Sequence, residues 1–109
     1  MKLSRKLVLE ERSRTADGMG GADVAWVTVG TLWGQLVARS GGEGFSNAEE
    51  ASRQAWRITV RGAPKGAPSR PRADQRFREG TRIFNILSVA EADPEGRYLI
   101  CNAEEGLAV

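Results

Sequence analysis

The segment from Val24 to Arg39, VAWVTVGTLWGQLVAR, is the feature that most restricts the possible folds. It is rich in valine, threonine and tryptophan, which favour a pleated, half-buried strand. Gly30 and Gly34 predict a bulge or a sharp bend within it. A long strand that bends once typically serves both halves of a small β-barrel. A bulge at Gly30 would bring Trp26 and Trp33 onto one face, and we expect both rings to pack in the core.

Four further segments have the composition of strands. Residues 5–12 contain a short apolar run, and residues 56–62 (WRITVRG) alternate between apolar side chains and arginine or threonine. Residues 81–89 are apolar on both faces, which predicts a central strand that is covered on both sides. Residues 97–105 follow the turn sequence DPEG and complete a hairpin with that strand.

One short helix is predicted among these strands. Ser46 and Glu49 have the spacing of a capping box, in which each side chain accepts a hydrogen bond from a backbone amide of the first turn. The 109 residues are predicted to form one all-β domain over 1–109, a small antiparallel barrel or sandwich of five or six strands with this helix in a loop. Extended loops are expected at about residues 40–55 and 63–78, because prolines in the second segment prevent regular pairing.

The charges are distributed unevenly along the chain. The window from Arg53 to Arg82 contains nine basic and two acidic residues, a net charge of +7, whereas the rest of the chain carries −5. Three interpretations fit this pattern. The window could be a solvated loop, it could contact a polyanion, or it could pair with an acidic neighbour.

The residue types needed for most catalytic and metal sites are missing. The chain has no histidine, which excludes histidine-based triads and metal sites, and one cysteine, which excludes a disulfide or a zinc site. We expect Cys101 to be a buried small apolar residue. We predict no catalytic residue, no metal and no cofactor, and therefore a protein that acts by binding. No apolar run approaches the length of a membrane span, so no membrane partner is expected.

The order of these features resembles the head–tail joining proteins of tailed bacteriophages, also called head-closure or stopper proteins. LVLEER resembles the first strand of that family, and DGMGGADVAWVTV resembles its acidic, glycine-containing loop and aromatic strand. TLWGQLVARSGGE is similar to the family's tryptophan-containing strand, and SNAEEASRQAWRITVRG to its polar helix and the strand that follows. DQRFREGTRIFNILSVAEADPEGRYLICNAEEG is similar to the closing pair of strands.

This resemblance implies a structural virion protein made in the bacterial cytoplasm. It would form a ring, usually hexameric, at the head–tail interface of a phage, prophage or gene transfer agent particle. The adaptor and portal complex would lie above it, and the tail terminator or tail tube proteins below. It would close the channel after DNA packaging, dock the tail, and meet double-stranded DNA without sequence specificity.

Two groups of residues become candidates for these contacts. The candidate channel or stopper loop comprises Ser40, Gly41, Gly42, Glu43, Gly44, Phe45, Ser46, Asn47, Glu49, Glu50 and Arg53. The candidate basic loop, which would face a neighbouring subunit or the DNA, comprises Lys65, Arg70, Arg72, Arg76 and Arg78.

The alternative function is a free-standing, OB-like nucleic-acid-binding module. Binding of single strands needs exposed aromatic rings among basic residues on one face of the sheet. Trp56 and Phe84 are expected to point inward, and this counts against the alternative.

Overall fold

The structure, a computed structural model, describes residues 2–16, 22–39 and 54–106. They form six antiparallel strands, which close into one barrel in the order β1-β2-β3-β6-β5-β4. The strands are β1 (Arg5–Ala16), β2 (Ala22–Arg39), β3 (Gln54–Arg61), β4 (Arg76–Glu79), β5 (Arg82–Glu91) and β6 (Tyr98–Gly106). The prediction of a small all-β antiparallel barrel is confirmed. The predicted helix after Ser46 lies outside the described residues.

Alternation along each strand builds the core. Every second side chain of a strand points into the barrel, so each strand supplies a few apolar residues to one cluster. The buried members of that cluster are Leu7, Leu9, Ile58, Val60, Phe77, Phe84, Ile86, Leu99, Cys101 and Ala103. Trp56 packs against the cluster, and its ring meets the Phe84 ring edge-on at a centroid distance of 6.1 Å. Both rings point inward, as the alternation in residues 56–62 predicts for Trp56.

The predicted irregularity in β2 is present, one residue before its predicted position. Leu9 pairs with Gly30 and the next residue, Glu10, pairs with Thr28, so Val29 is the extra residue of a β-bulge. The bulge brings Trp26 and Trp33 onto one face, as expected. That face is the outer one, because Trp33 is opposite the exposed Lys6 and is itself 53% exposed. The prediction that both indole rings lie in the core is therefore wrong.

A second bulge lies in β5. Ile86 pairs with Ala103 and Ser88 pairs with Asn102, which leaves Leu87 without a partner position on β6. Leu87 is 59% exposed. The prediction that residues 81–89 are covered on both faces fails here, because Ile86 points into the closed barrel and alternation turns the next residue to the outer face.

The predicted loop boundaries also need correction. Arg76–Glu79 form β4, which pairs with β1 on one side and β5 on the other, so residues 76–78 do not belong to a loop. β3 begins at Gln54, so the last two residues of the predicted loop at 40–55 belong to this strand. The prolines prevent strand pairing only as far as Pro71. The short segment that follows, β4, pairs with β1 and β5 when the barrel closes.

β1 and β2 continue beyond the barrel as a two-stranded arm. β1 pairs with β4 only through Val8, Leu9 and Glu10, whereas its pairing with β2 continues to Ala16. The junction between arm and barrel places Glu10 and Glu11 of β1 close to β4 and to the loop before it.

Candidate functional site

The basic loop folds back onto the barrel. Within the segment from Ala63 to Gln75, backbone hydrogen bonds from Ala67 to Pro64 and from Arg70 to Ala67, each 3.0 Å, form consecutive turns. Arg70 donates from its guanidinium to the Ala63 carbonyl at 2.9 Å. Pro71 is fully buried. The segment is thus an ordered covering of the barrel wall.

One buried side chain, that of Gln75, fixes the end of this loop. Gln75, 5% exposed, accepts a hydrogen bond from the Arg72 amide at 2.8 Å and donates to the Glu11 carboxylate at 3.3 Å. The Arg72 guanidinium donates to the same Glu11 carboxylate at 3.0 Å. Lys65 is exposed. The loop therefore presents fewer unengaged positive charges than its sequence suggests.

Arg76 and Arg78, predicted to be loop residues, lie on β4 and share one acidic partner. Glu10 receives the Arg76 guanidinium at 2.8 Å and the Arg78 guanidinium at 3.1 Å. The Glu10 and Arg76 side chains are 6% and 9% exposed. Arg76 also stacks over the Trp26 ring at 4.0 Å. Arg76 is a buried structural residue, because closure of the barrel places β4 beside the acidic part of β1.

These contacts bear on the interpretation of the charge pattern. Within the same chain, the basic window finds acidic partners outside itself at Glu10, Glu11 and Glu105. These pairs are intramolecular, whereas the interpretations concern other molecules, so contact with a polyanion or with an acidic neighbour stays a prediction.

The residues of the candidate stopper loop lie outside the described part of the chain. They are Ser40, Gly41, Gly42, Glu43, Gly44, Phe45, Ser46, Asn47, Glu49, Glu50 and Arg53. The structure does describe the strand ends on either side of them, Arg39 and Gln54. The Gln54 side chain donates a hydrogen bond to the Arg39 carbonyl at 3.2 Å, which holds these two ends together.

A network of ion pairs covers the same end of the barrel. Arg5 binds Glu79 through two hydrogen bonds of 2.6 and 2.5 Å. Arg82 binds Glu105 at 2.8 and 3.1 Å, and the Trp56 indole donates to Glu105 at 3.0 Å. We call these five residues the end cap. Hydrogen bonds from Arg5 and Arg82 hold the pKa of Glu79 and of Glu105 below the usual value.

The end cap could not be predicted from the sequence, because most of its members are far apart along the chain. Arg5 begins β1, Glu79 ends β4, Arg82 begins β5 and Glu105 lies near the end of β6. The register pairs Glu79 with Arg82 and Trp56 with Ala103, so these strand ends meet only in the closed barrel.

The outer face of β2 is the second surface that sequence reasoning missed. Trp33 and Val37 are 53% and 45% exposed, and both project from this face. Beside Trp33 lies a groove of about 500 Å³, which is lined by Leu3, Thr31, Leu32, Trp33, Arg61, Gly62, Ala63 and Ser69. We call Trp33, Val37 and this groove the Trp33 surface. Its apolar wall and basic rim suit it to protein contact.

The described residues contain one thiol and no cluster of metal-binding side chains. Cys101 is buried, as predicted, and burial raises the pKa of its thiol to about 12. No group of three or more metal-binding side chains occurs within residues 2–16, 22–39 and 54–106. In the same ranges there is no helix of the length and apolarity needed to cross a membrane.

Comparisons with known proteins agree with this architecture. The family model described as phage head completion protein matches residues 1–106. Among solved structures, a chain from the virion of a native gene transfer agent particle is similar, with a TM-score of 0.77 and 48% sequence identity. The match covers 99% of this chain and 99% of that chain. A search of curated proteins finds no match.

These findings confirm the resemblance to head–tail joining proteins. The match extends over nearly the whole chain, from β1 to the end of β6. At 48% identity the similarity extends beyond the fold to the family. This chain belongs to the phage head completion protein family and is a structural component of phage-like particles.

Proposed function

We propose that this virion component forms a ring at the head–tail interface, where it closes the portal channel after DNA packaging and docks the tail. The supporting observation is the family match over residues 1–106, together with 48% identity to a chain of a gene transfer agent virion. The function requires a rigid body with surfaces for other proteins. A closed barrel with exposed apolar side chains on its outer wall fits that requirement.

The proposed partners follow from this position. Six copies of the chain form the ring, with the adaptor and portal complex on one side and the tail terminator or tail tube proteins on the other. Double-stranded DNA passes through the centre and is contacted without sequence specificity. Weak contact suits this role because the DNA must move through the channel.

We assign residues 40–53 to the channel or to the next ring. This segment connects β2 to β3, and it leaves the barrel at the end that carries the end cap. Rigid strand ends at Arg39 and Gln54 provide a fixed base for it. Glycine and polar residues predominate in the segment, a composition compatible with a projecting loop.

We assign the basic loop to protein contact rather than to DNA. Four of the five candidate cations, Arg70, Arg72, Arg76 and Arg78, already bind acceptors of their own chain. Attraction to DNA phosphates depends on cations that are available to replace counterions. Of the five candidate cations, Lys65 is the one most available to replace counterions on DNA.

Deletion of the gene in a particle-producing strain tests the proposed function. We expect DNA-filled heads without tails, together with free tails, in electron micrographs, and packaged DNA that nuclease digests. Expression of the wild-type chain from a plasmid should restore tailed particles. Normal numbers of tailed, nuclease-resistant particles in the deletion strain would overturn the proposal.

One observation favours the nucleic-acid-binding module as a second candidate. Trp33 is exposed on the outer face and Arg61 lies at the rim of its groove, a combination of aromatic and basic groups that single-strand binding uses. Titration of the isolated protein with single-stranded DNA at two salt concentrations, followed by tryptophan fluorescence, tests it. Quenching that weakens at higher salt and is lost in Trp33→Ala would support this candidate; unchanged fluorescence would exclude it.

A further inference from the structure

Two exposed apolar surfaces lie on opposite walls of the barrel. The Trp33 surface is on β2, and Leu87, 59% exposed, stands out at the bulge of β5. In the closed order β1-β2-β3-β6-β5-β4, three strand steps separate β2 from β5 in either direction. The two surfaces therefore face away from each other, and one molecule cannot bring them together.

The surroundings of the two surfaces carry opposite charge. Beside Trp33 and Val37, the exposed side chains of Lys6, Arg57 and Arg61 are basic, and β3 contains no acidic residue. In β5 and β6 the single basic residue is Arg82, which is bound to Glu105 in the end cap. Glu104 lies on the outer face of β6, opposite Asn85 of β5.

Asp74 adds to the acidic side. Its amide donates to the Ile86 carbonyl at 3.3 Å, which places this exposed residue next to Leu87. The arginines of the adjacent β4, Arg76 and Arg78, are paired with Glu10. We call Leu87 with Asp74 and Glu104 the Leu87 surface.

Shape and charge together indicate a head-to-tail contact. A two-fold contact through the Trp33 surface would place its basic groups against one another, which is unfavourable. Two unlike surfaces on opposite walls instead form a heterologous interface, and repetition of that interface gives a ring when the rotation closes. The groove beside Trp33 provides the concave partner for a projecting leucine.

We propose that the Trp33 surface of one subunit packs against the Leu87 surface of the next copy of the same chain. This inference rests on the proposed ring function and names the residues that join its subunits. Leu87 enters the groove beside Trp33, and the basic rim of the groove meets the acidic groups near Leu87. The bulge in β5 places Leu87 where it can make this contact.

Thiol cross-linking within particles tests the inference. Trp33→Cys and Leu87→Cys are produced together in a deletion strain, and purified particles are treated with a short bis-maleimide. The native Cys101 does not interfere, because it is buried and its pKa is raised to about 12. We expect dimers that link position 33 to position 87, and no dimers in particles that contain either variant alone.

A double variant and a matched control sharpen this test. A chain that carries both cysteines should give a ladder of cross-linked species, whose largest member reports the number of subunits in the ring. The control replaces Leu87→Cys with Thr81→Cys, an exposed position in the turn between β4 and β5. Position 81 should not link to position 33.

Charge exchange provides an independent readout. Arg61→Glu and Asp74→Lys should each lower incorporation of the chain into particles about tenfold, since like charges then meet across the contact. The combination of both changes should recover most of the loss. If the cysteine variants do not enter particles, the charge exchange tests the proposed interface by itself.

Failure of the inference is distinguishable from failure of the proposed function. If the wild-type chain is in the particles but cysteines link 33 to 33 or 87 to 87, or do not link at all, the interface is overturned and the ring function stands. If the charge exchange gives no recovery, the interface is overturned as well. If the deletion strain makes normal tailed particles, the proposed function itself is wrong.

Discussion

At Gly34 the inner wall of the barrel has no room for a side chain. A Cβ atom there would lie 2.9 Å from Leu7 Cδ1, 3.1 Å from the Thr59 carbonyl oxygen and 3.2 Å from Val60 Cγ1. We expect Gly34→Ala to lower the free energy of unfolding by about 1–3 kcal/mol, the usual cost of overpacking a core. Chemical denaturation with urea measures this.

Gly30 is the matched control, because it lies on the same strand and no atom would lie within 4 Å of its added Cβ. Gly30→Ala should leave the urea midpoint nearly unchanged. Equal destabilisation by the two alanine substitutions would contradict the steric explanation.

Glu10 is the residue on which two arginines depend. We expect Glu10→Gln to cost about 3–5 kcal/mol, because it leaves the buried Arg76 guanidinium without its charged partner. Glu11→Gln serves as the comparison, since the Arg72–Glu11 pair is largely exposed and such pairs contribute about 0–1 kcal/mol. Thermal unfolding should therefore separate the two variants clearly. A small effect at Glu10 would show that the pair contributes little.

At the scale of elements, Gln75 determines how the basic loop is held. Gln75→Ala removes the acceptor of the Arg72 amide and the donor to Glu11. We expect a loss of about 1–3 kcal/mol and a loosened loop, because a partly buried backbone amide is left without its acceptor. Limited digestion with trypsin should then cut after Arg72 faster than it does in the native chain.

Lys65→Ala is a suitable control for that digestion, since Lys65 is exposed and its removal should not alter cleavage after Arg72. The proline that follows Arg70 makes the Arg70–Pro71 bond a poor substrate, and fragment masses distinguish cleavage after Lys65 from cleavage after Arg72. If Gln75→Ala is as resistant as the native chain, the loop is held by other contacts.

Strand patterns explain which elements could be predicted from the sequence. β2, β3, β5 and β6 follow their residue composition, because long alternating or apolar segments specify strands locally. β4 has four residues beside a proline-rich loop, and only closure between β1 and β5 gives it partners. The exposure of Trp33 also depends on closure, since alternation fixes which residues share a face but not which face is inside.

At the scale of the whole molecule, acid should weaken the barrel through the end cap. The pKa values of Glu79 and Glu105 are lowered in the folded protein. Each carboxylate therefore stabilises the fold at pH values above its pKa in the unfolded chain, near 4.5. That stabilisation is lost as the pH falls through the folded values. We expect the melting temperature to be steady near neutral pH and to fall below about pH 4.5.

The variant Glu79→Gln/Glu105→Gln isolates this contribution. It should be slightly less stable than the native chain at pH 7, by up to about 1 kcal/mol for each partly exposed pair. The difference should shrink towards pH 3, where the native carboxylates are protonated as well. A difference that stays constant from pH 7 to pH 3 would mean that ionisation is not its cause.

Whole-molecule charge was the property least accessible from the sequence. A window of +7 beside a remainder of −5 suggests separate basic and acidic surfaces. The register instead sets β1 against β4, so Glu10 meets Arg76 and Arg78. A cluster of like charges in the sequence predicts a charged surface only when the fold keeps it apart from segments of opposite charge.

Closure of the six strands also bears on how such particles evolve. Each barrel strand has a neighbour on both sides, so the backbone hydrogen-bonding groups of the barrel are already paired within the chain. Contacts made through the barrel wall must then depend on side chains. A lineage can consequently adapt this wall to a different neighbour in the particle by substitutions on the outer face, while the folded body that carries them is inherited unchanged.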